Sequence, residues 1–492
     1  MFRNQYLVVS TDIAAPQFAG MEFVDFNALR IHAHPVLKVS VARCPHAEIV
    51  VLGYIIDPFA PDKTDQEVVD GLTRECRTVE ELFSHVRRFS GRFVLLYKNH
   101  ESFLVTGDAC HFRQIYFAYM GSGFVLTSSP KLFLTYFQSD VQTSAEKLNF
   151  VNLPAYRNQE NAWYGDQAID DRLQKLLPNH YLEISHRTVR RIPVETLPEP
   201  VDDEEIIGNT AAILKGTYFA LTRRYQLIQP ITAGWDSRVL LSASRQVKDK
   251  IRFYVFSSPS TKSADVWVPR RLSKSLGLDF TVIEPAPLHE MFLSSYRAEH
   301  FMPRILPKTA QIQHHYDCAY KDNMINVNGN AAEIARCFYG YTSRKVTVDM
   351  LLTFSGYGRQ SRFIVEQLEK WYPQASQYAA ESGIPLLDLF YWEQRMGNWG
   401  AMFPFEQDIA IEEISPFNNR SLLCGLLCIS PTRRRAPGYS FFRKLVQHLW
   451  PETLTEKVNP DSRYVAEAIK GNSMVRYVIM ASLCRVKSVR SR

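Results

Sequence analysis

In the first half of the chain, short apolar runs alternate with turn residues. The clearest runs cover residues 89–97, 103–108, 115–118 and 124–129. Short runs rich in aromatic and aliphatic residues are typical of β-strands, and turn residues between the runs favour antiparallel connections. The pattern therefore predicts a layered antiparallel sheet in this half of the chain.

The second half changes to apolar runs that are followed by helix-period segments. Residues 225–231 form a short apolar run and predict a buried strand. Apolar positions spaced as on a helix begin at Val239, just after Asp236 and Ser237, two residues that favour a first helical turn. Residues 253–257 predict another strand, again followed by a helix that ends near Leu276.

A run rich in proline and acidic residues separates the two patterns. It covers residues 195–205, and a helical segment, residues 206–220, follows it. Prolines and clustered charges of this kind mark a linker. Because 492 residues exceed one core of ordinary size, we expect two domains that meet near residue 200.

Composition narrows the class of protein. Hydrophobic residues make up 46% and aromatic residues 12% of a chain with net charge +6, which describes a globular protein. No apolar run is long enough for a membrane span, and no signal peptide begins the sequence. Eight scattered cysteines without a Cys-X-X-Cys pair predict reduced thiols in the cytoplasm and argue against a zinc site. Excess positive charge lies mostly in residues 433–435 and 485–492, and no nucleic-acid-binding motif accompanies it.

The turn between the strand at 225–231 and the next helix carries the most specific chemistry. Its small residues leave backbone N–H groups pointing outward at a positive helix end, which is an anion site. Gly234 permits positive φ and close approach of an oxygen. Thr232 and Ser237 offer hydroxyl groups, and Asp236 offers a metal ligand. The alternative interpretation is an ordinary strand-to-helix turn with a capping Asp, since the loop lacks a Walker A ending.

The order Thr-Ala-Gly-Trp-Asp-Ser in this turn resembles the Ser-Gly-Gly-X-Asp-Ser pyrophosphate loop of the asparagine synthetase family. Members of that family use ATP to activate a carboxylate as an acyl-adenylate, release pyrophosphate and pass the acyl group to an amine. The resemblance implies that ATP is bound by Thr232, Ala233, Gly234, Asp236 and Ser237. Thr232 and Ala233 depart from the family's Ser and first Gly.

Two further stretches resemble the family in the same order. At the end of the second strand Ser257 takes the position beside adenine, and Asp265 opens the next helix, where a plain N-terminal charge is the alternative. Residues 325–334 resemble the family's Ser-Gly-Glu-Gly-Ala-Asp-Glu segment. Gly329 matches a glycine of that segment, Asn330 falls on its first acid and Glu333 on the second.

The resemblance implies that Asp236 and Glu333 hold Mg²⁺ beside the phosphates, because Mg²⁺ needs few carboxylates when phosphate oxygens and water complete its shell. The alternative is a glycine-containing turn with a solvent-facing Glu333. Near the C-terminus, residues 416–420 and 450–457 resemble two more family stretches. They imply that Lys457 stabilises developing charge as a catalytic residue, with an ordinary surface lysine as the alternative.

The N-terminal half resembles the glutaminase domain of glutamine-dependent members, in which a cysteine nucleophile follows Met1. This chain has Phe2 there, and its nearest cysteine is Cys44. A glutaminase scaffold without its nucleophile is the arrangement of β-lactam synthetases and lasso-peptide cyclases. The implied α/β architecture is a degenerate Ntn-hydrolase-like layered-sheet domain, residues 1–200, followed by a parallel-sheet adenine-nucleotide α-hydrolase-like synthetase domain, residues 201–492.

Together these patterns predict a cytoplasmic biosynthetic ligase that uses ATP and Mg²⁺. Its substrates would be a small-molecule or peptide carboxylate and an amine other than glutamine. Two alternatives remain: a sulfur-inserting enzyme that shares the first motif, and a non-catalytic nucleotide- or peptide-binding relative, which Ala233 and Asn330 favour. We expect residues 303–322 and the aromatic-rich residues 391–399 to shape the pocket.

Overall fold

The computed structural model describes residues 1–13, 20–194, 202–257, 263–318 and 323–490, with side chains up to residue 482. The strands are β1 Tyr6–Ser10, β2 Glu22–Phe26, β3 Leu29–Ala33, β4 Val39–Arg43, β5 Glu48–Ile56, β6 Ser90–Lys98, β7 Phe103–Gly107, β8 Tyr116–Met120, β9 Gly123–Thr127, β10 Gln174–Lys175, β11 His180–Glu183, β12 Thr188–Arg191, β13 Gln226–Pro230, β14 Ile251–Phe256, β15 Phe280–Ile283, β16 Met324–Val327 and β17 Glu412–Ile414.

The α-helices are α1 Asp65–Glu75, α2 Val79–Val86, α3 Pro130–Tyr136, α4 Ala145–Val151, α5 Pro154–Asn158, α6 Asp203–Arg224, α7 Trp235–Ala243, α8 Ser263–Leu276, α9 Glu290–Glu299, α10 Thr309–Asp317, α11 Val348–Ser355, α12 Arg362–Ser382, α13 Leu386–Phe390, α14 Ala401–Gln407, α15 Arg420–Cys428, α16 Pro431–Arg434, α17 Ser440–Leu449, α18 Tyr464–Lys470 and α19 Ser473–Arg490. Short 3₁₀ segments are Arg245–Lys250, Ala332–Arg336 and Pro451–Leu454, and Tyr391–Gly400 is π-helical.

Two six-stranded antiparallel sheets form the N-terminal half. Their strand orders are β10-β8-β9-β1-β3-β2 and β12-β11-β7-β6-β5-β4. Along β5, Val50 and Leu52 face the core between the sheets, whereas Ile49 and Val51 face the cluster under α1 and α2. Both faces of this strand are therefore covered, which explains its continuous apolar run. The predicted layered antiparallel architecture is confirmed.

A five-stranded parallel sheet forms the centre of the C-terminal half. Its order is β15-β14-β13-β16-β17, so the chain runs outward from β13 on one side and then returns to add β16 and β17 on the other. The order reverses between β13 and β16. In parallel sheets, ligands bind at the carboxyl ends of the strands beside such a reversal. The predicted α/β parallel-sheet class is confirmed for this half.

Apolar and ionic contacts join the two halves. One core cluster contains Tyr54 and Phe112 from the N-terminal half together with Trp392 from the C-terminal half. Arg92 donates two hydrogen bonds of 2.6 Å to Asp408, and Arg113 pairs with Glu412 beside it. Each of these buried charges has a partner of opposite sign, so none of them depends on water for neutralisation.

The ends of the C-terminal half are also defined. Helix α6 starts earlier than the predicted 206–220 segment because the side chain of Asp202 accepts a hydrogen bond from the N–H of Glu204. Most of the predicted linker, residues 195–201, lies outside the described residues. Helix α19 packs Met474, Tyr477 and Met480 against the main core. Within the described ranges, no helix has the length and apolar character to cross a membrane.

Candidate functional site

The predicted anion-binding turn lies at the carboxyl end of β13, where the strand order reverses. It connects β13 to α7 and opens into a cavity of about 390 Å³. We call this the switch-point cavity. Among the residues that line it are Thr232, Asp236, Ser237, Gly329, Glu333 and Glu413. The fold thus brings together five of the predicted site residues from two segments nearly a hundred positions apart in sequence.

The turn holds its shape through internal hydrogen bonds. The N–H of Thr232 donates to Ser237 Oγ over 3.0 Å, and the N–H of Gly234 donates to Thr232 Oγ1 over 3.3 Å. Because both amides donate within the turn, neither is free to bind an anion. The prediction that the N–H groups of this turn point outward is therefore wrong for Thr232 and Gly234. The donors left for an anion are those in the first turn of α7, because amides at a helix start have no intrahelical acceptor.

Asp265, at the start of α8, holds the same turn from the side. The N–H of Ala233 donates to Asp265 Oδ1 over 2.9 Å. Ala233, where the resembled motif has glycine, is buried and belongs to the main apolar core cluster. Asp265 therefore positions the turn and is more than a helix-end charge.

Gly234 adopts an ordinary conformation. Its φ of −79° lies in the extended region, so the positive φ allowed by glycine is not used. A Cβ built at this position would come no closer than 3.6 Å to any neighbour, the nearest being Thr232 Oγ1. Glycine therefore leaves open space here, which keeps the approach to the helix N-terminus clear.

Gly329 allows β16 and α7 to meet closely. A Cβ at this position would lie 2.8 Å from the Cβ of Asp236, a separation that side chains do not tolerate. The loop after β16 continues through Ala331, whose φ is 72°. Gly329 thus sets the distance between the two segments that carry Asp236 and Glu333.

An arginine lies between the two carboxylates predicted to hold Mg²⁺. Arg336 Nη2 is 2.6 Å from Asp236 Oδ2 and 3.3 Å from Glu333 Oε1. The hydroxyl of Tyr391, on the π-helical segment, donates to the other oxygen of Glu333. Both carboxylates are therefore already partly neutralised by side chains of the protein.

The remaining oxygen of Asp236 has no such partner. Oδ1 is buried and accepts no hydrogen bond from any described residue. Burial raises the pKa of Asp236 to about 6, against the opposing effect of Arg336, and the charge of Glu333 adds to the rise. A buried carboxylate oxygen without a donor fits a cation. The residues present fit one Mg²⁺ ligand from Asp236, whereas both oxygens of Glu333 are engaged.

No group of three or more His, Cys, Asp and Glu side chains suited to a metal occurs in the described part of the chain. An ion at Asp236 would therefore need ligands from a bound molecule or water.

Glu413 was not predicted from the sequence. It lies on β17, lines the switch-point cavity and accepts a 2.8 Å hydrogen bond from Asn326 Nδ2. The Asn326 amide is fixed in turn by Tyr254, whose hydroxyl donates to Oδ1 over 3.0 Å. Burial raises the pKa of Glu413 to about 7, with Lys308 opposing that rise. The signal in the sequence was the acidic pair 412–413, which is flanked by the apolar residues 409–411 and 414.

Four predicted residues do not line the switch-point cavity: Ala233, Gly234, Ser257 and Lys457. Ser257 follows β14, and its N–H donates to the carbonyl of Ile283 over 2.8 Å. Lys457 is exposed, but its segment is held against the turn because the N–H of Asn459 donates to the carbonyl of Ala233 over 2.9 Å.

The segments expected to shape the pocket do contribute to its wall. Lys308 and Gln311 come from the 303–322 region, whose residues 319–322 lie outside the described chain. Met396 and Trp399 come from the π-helical segment. Aromatic content was therefore a useful indicator of the cavity in this sequence.

The N-terminal half offers no nucleophile at position 2. Phe2 is fully buried in an apolar cluster with Leu7 and Phe133. The Sγ of Cys44 hydrogen-bonds to the carbonyl of Thr73. Cys44 packs against the apolar cluster between the second sheet and helices α1 and α2, not against the core that the two sheets share.

Neither a protein-family model nor a curated protein sequence matches this chain. Among solved structures, an NH₃-dependent NAD synthetase from Campylobacter jejuni has 12% identity, covering 37% of this chain and 77% of that one, with a TM-score of 0.20. Glutamine phosphoribosylpyrophosphate amidotransferase from B. subtilis has 8% identity, covering 68% and 71%, with a TM-score of 0.22.

A glutamine-dependent NAD⁺ synthetase from Acinetobacter baumannii has 11% identity, covering 63% of this chain and 72% of that one, with a TM-score of 0.21. Scores at this level carry no argument about the activity of this chain. The assignment of its fold class rests on its own sheets.

Proposed function

We propose that this protein is an ATP-dependent ligase of the asparagine synthetase type, with residues 1–200 and 201–492 as its two domains. A substrate carboxylate oxygen attacks the α-phosphorus of ATP, pyrophosphate leaves, and an acyl-adenylate forms. An amine nitrogen then attacks the acyl carbon and AMP leaves. The observation that carries the proposal is the unpartnered Asp236 Oδ1 beside a helix N-terminus at the point where the parallel strand order reverses.

The first turn of α7 supplies the phosphate-binding groups in this proposal. Its free amides and the positive end of the helix favour an anion. Thr232 and Ser237 keep the turn rigid through their mutual 3.1 Å contact, and Gly234 leaves room for phosphate oxygens. Ser257 would lie on the adenine side, and Lys457 would face the developing negative charge from the segment held by Asn459.

Mg²⁺ bound with the nucleotide would be held by Asp236 and would neutralise phosphate charge. Arg336 has a separate role in this proposal. It keeps Glu333 and the second oxygen of Asp236 paired, and its guanidinium can contact a phosphate oxygen that enters between them. The positive charge of Arg336 thus contributes to the binding of an anionic group.

Glu413 is the proton acceptor that we propose for the attacking amine. A base works best when its pKa is close to the working pH, and burial brings the pKa of Glu413 to about 7. Its hydrogen bond to Asn326 fixes one oxygen and leaves the other available toward the cavity. The amine would come from a second substrate or from ammonia, because position 2 carries Phe2.

The second candidate is a non-catalytic nucleotide- or peptide-binding protein of the same fold. The observation that favours it is Arg336, which already occupies the space between the carboxylates predicted to hold Mg²⁺. A resident guanidinium supports anion binding without requiring a reaction.

The decisive assay is the release of AMP and pyrophosphate from ATP–Mg²⁺ with a panel of carboxylates, with hydroxylamine as a general amine. The panel would contain the twenty amino acids, short dicarboxylates and dipeptides. We expect hydroxamate formation with at least one acid, its loss in Asp236→Ala, and its retention in Asp249→Asn, an exposed control. Hydrolysis to ADP, or unchanged activity in Asp236→Ala, would refute the ligase mechanism. Binding of ATP without any turnover would support the second candidate.

A further inference from the structure

A second cavity lies between the two halves of the chain and shares only the Trp399 side chain with the switch-point cavity. We call it the interface cavity; its volume is about 100 Å³. Its lining includes Tyr156, Trp163, Lys175, Met302, Met402 and Phe405. Met302 is 44% exposed, so the cavity reaches solvent beside it, whereas the other lining residues are buried or half-buried and the majority are apolar.

Lys175 supplies an ammonium group to the wall of this cavity. It is 4% exposed, at the sheet edge where β10 pairs with β8. Its Nζ donates to Gln114 Oε1 over 2.8 Å and lies 5.3 Å from the centre of the Tyr116 ring. An ammonium has three donors, and among the described residues no carboxylate forms an ion pair with it. A buried cation without an anion is costly and points to a missing partner.

The other ionisable groups around Lys175 do not supply that partner. Arg304 lies on the C-terminal side of the cavity, but Glu406 neutralises it through a 2.7 Å ion pair. Tyr116 and Tyr156 face the cavity as neutral phenols, because burial raises the pKa of each well above its usual range. Burial, assisted by the charge of Arg304, lowers the pKa of Lys175 to about 7.

We propose that the interface cavity binds a small organic carboxylate, whose charged end pairs with Lys175 and whose apolar body packs against Tyr156, Trp163 and Phe405. A cavity of about 150 Å³ holds the six carbons of benzene, so the interface cavity of about 100 Å³ holds an apolar body of roughly three or four carbons. The proposal does not depend on the ligase reaction, because no residue of the Asp236 cluster contributes to it.

The test uses the full-length, nucleotide-free protein and matched pairs of probes. Butyrate and pentanoate are compared with butyramide and pentanamide by calorimetry or by ligand-observed NMR at pH 6.5. The two members of each pair have the same shape and differ in charge. We expect each carboxylate to bind at least about tenfold more tightly than its amide. Equal binding of acid and amide, or no binding of either, would overturn the proposal.

A lysine variant and its control locate the site. Lys175→Met keeps the length of the side chain and removes the charge, and should weaken carboxylate binding at least about tenfold. Lys370→Met is the control, because Lys370 is 58% exposed and pairs with Asp166 outside the interface cavity. Retained carboxylate affinity in Lys175→Met, or an equal loss in Lys370→Met, would place binding elsewhere.

The pH dependence is a further readout on the wild-type protein. A carboxylate binds the protonated amine, so binding takes up a proton once the pH exceeds the free pKa of about 7. Affinity should be nearly constant below pH 6.5 and roughly 20-fold weaker at pH 8.5. Affinity that does not change across this range would mean that Lys175 is not the binding group.

Discussion

Replacing Asp236 with Asn should stabilise the nucleotide-free protein while abolishing its proposed activity. The native pKa of Asp236 is about 6, whereas an unfolded Asp has a pKa of about 3.9. Because the folded value is the higher one, protonation favours the native state. The contribution of protonated Asp236 to stability is therefore fully present below about pH 4 and is lost as the pH rises through about 6.

The size of this effect on stability follows from the difference of roughly two pKa units between the native and the unfolded state. At 1.36 kcal/mol per unit, ionisation of Asp236 destabilises the native state by at most about 3 kcal/mol at pH 8 and about half of that at pH 5. The side chain is 26% exposed, so solvent screens part of the effect. We therefore expect Asp236→Asn to raise the free energy of unfolding by about 2 kcal/mol at pH 8 and about 1 kcal/mol at pH 5.

Urea unfolding followed by tryptophan fluorescence at the two pH values measures this difference. Asp249→Asn is the matched control, because Asp249 is 85% exposed and its removal should change stability little at either pH. A variant no more stable than the wild type at pH 8, or one whose gain is the same at both pH values, would refute the reasoning. Asp236 would then be adequately paired by Arg336.

Three other changes probe the site. Gly329→Ala should weaken ATP binding at least about tenfold, because its Cβ would lie 2.8 Å from the Cβ of Asp236; Gly208→Ala, which meets nothing within 4 Å, should bind normally in the same titration. Glu413→Gln should abolish the rise in ligation rate that we expect as the pH increases through about 7, since only the ionised carboxylate accepts a proton; an unchanged pH–rate profile would contradict its role as base. Asp265→Ala should lower the free energy of unfolding by about 1–3 kcal/mol in urea titrations, because it leaves a buried turn amide without its acceptor; wild-type stability would show that water replaces the carboxylate.

The sequence predicted the site where the chemistry is local. The strand, turn and helix around Thr232 and Asp236 are consecutive, and the spacing of apolar and capping residues defines all three. The resemblance of residues 325–334 to the asparagine synthetase family then implied that Gly329 and Glu333 would join them, and the structure places them together in one cavity. Local pattern was sufficient for the turn, whereas Gly329 and Glu333 needed the family resemblance.

Tertiary contacts determined the features that the sequence did not predict. Arg336 reaches Asp236 across a hundred residues, although its place one helical turn after Glu333 was visible in the sequence. The exposure of Lys457 depends on how its segment packs against the turn, and the pKa of Glu413 depends on its burial. None of these properties follows from the spacing of residues.

The ion pairs between the halves have a consequence for how this chain can change over time. Asp408 and Glu412 are neutralised by Arg92 and Arg113 of the N-terminal sheets, and Glu412 directly precedes Glu413. A shortened chain without those sheets would leave two uncompensated carboxylates beside the switch-point cavity. These ion pairs therefore disfavour the loss of the N-terminal half during evolution, even when that half has no catalytic activity of its own.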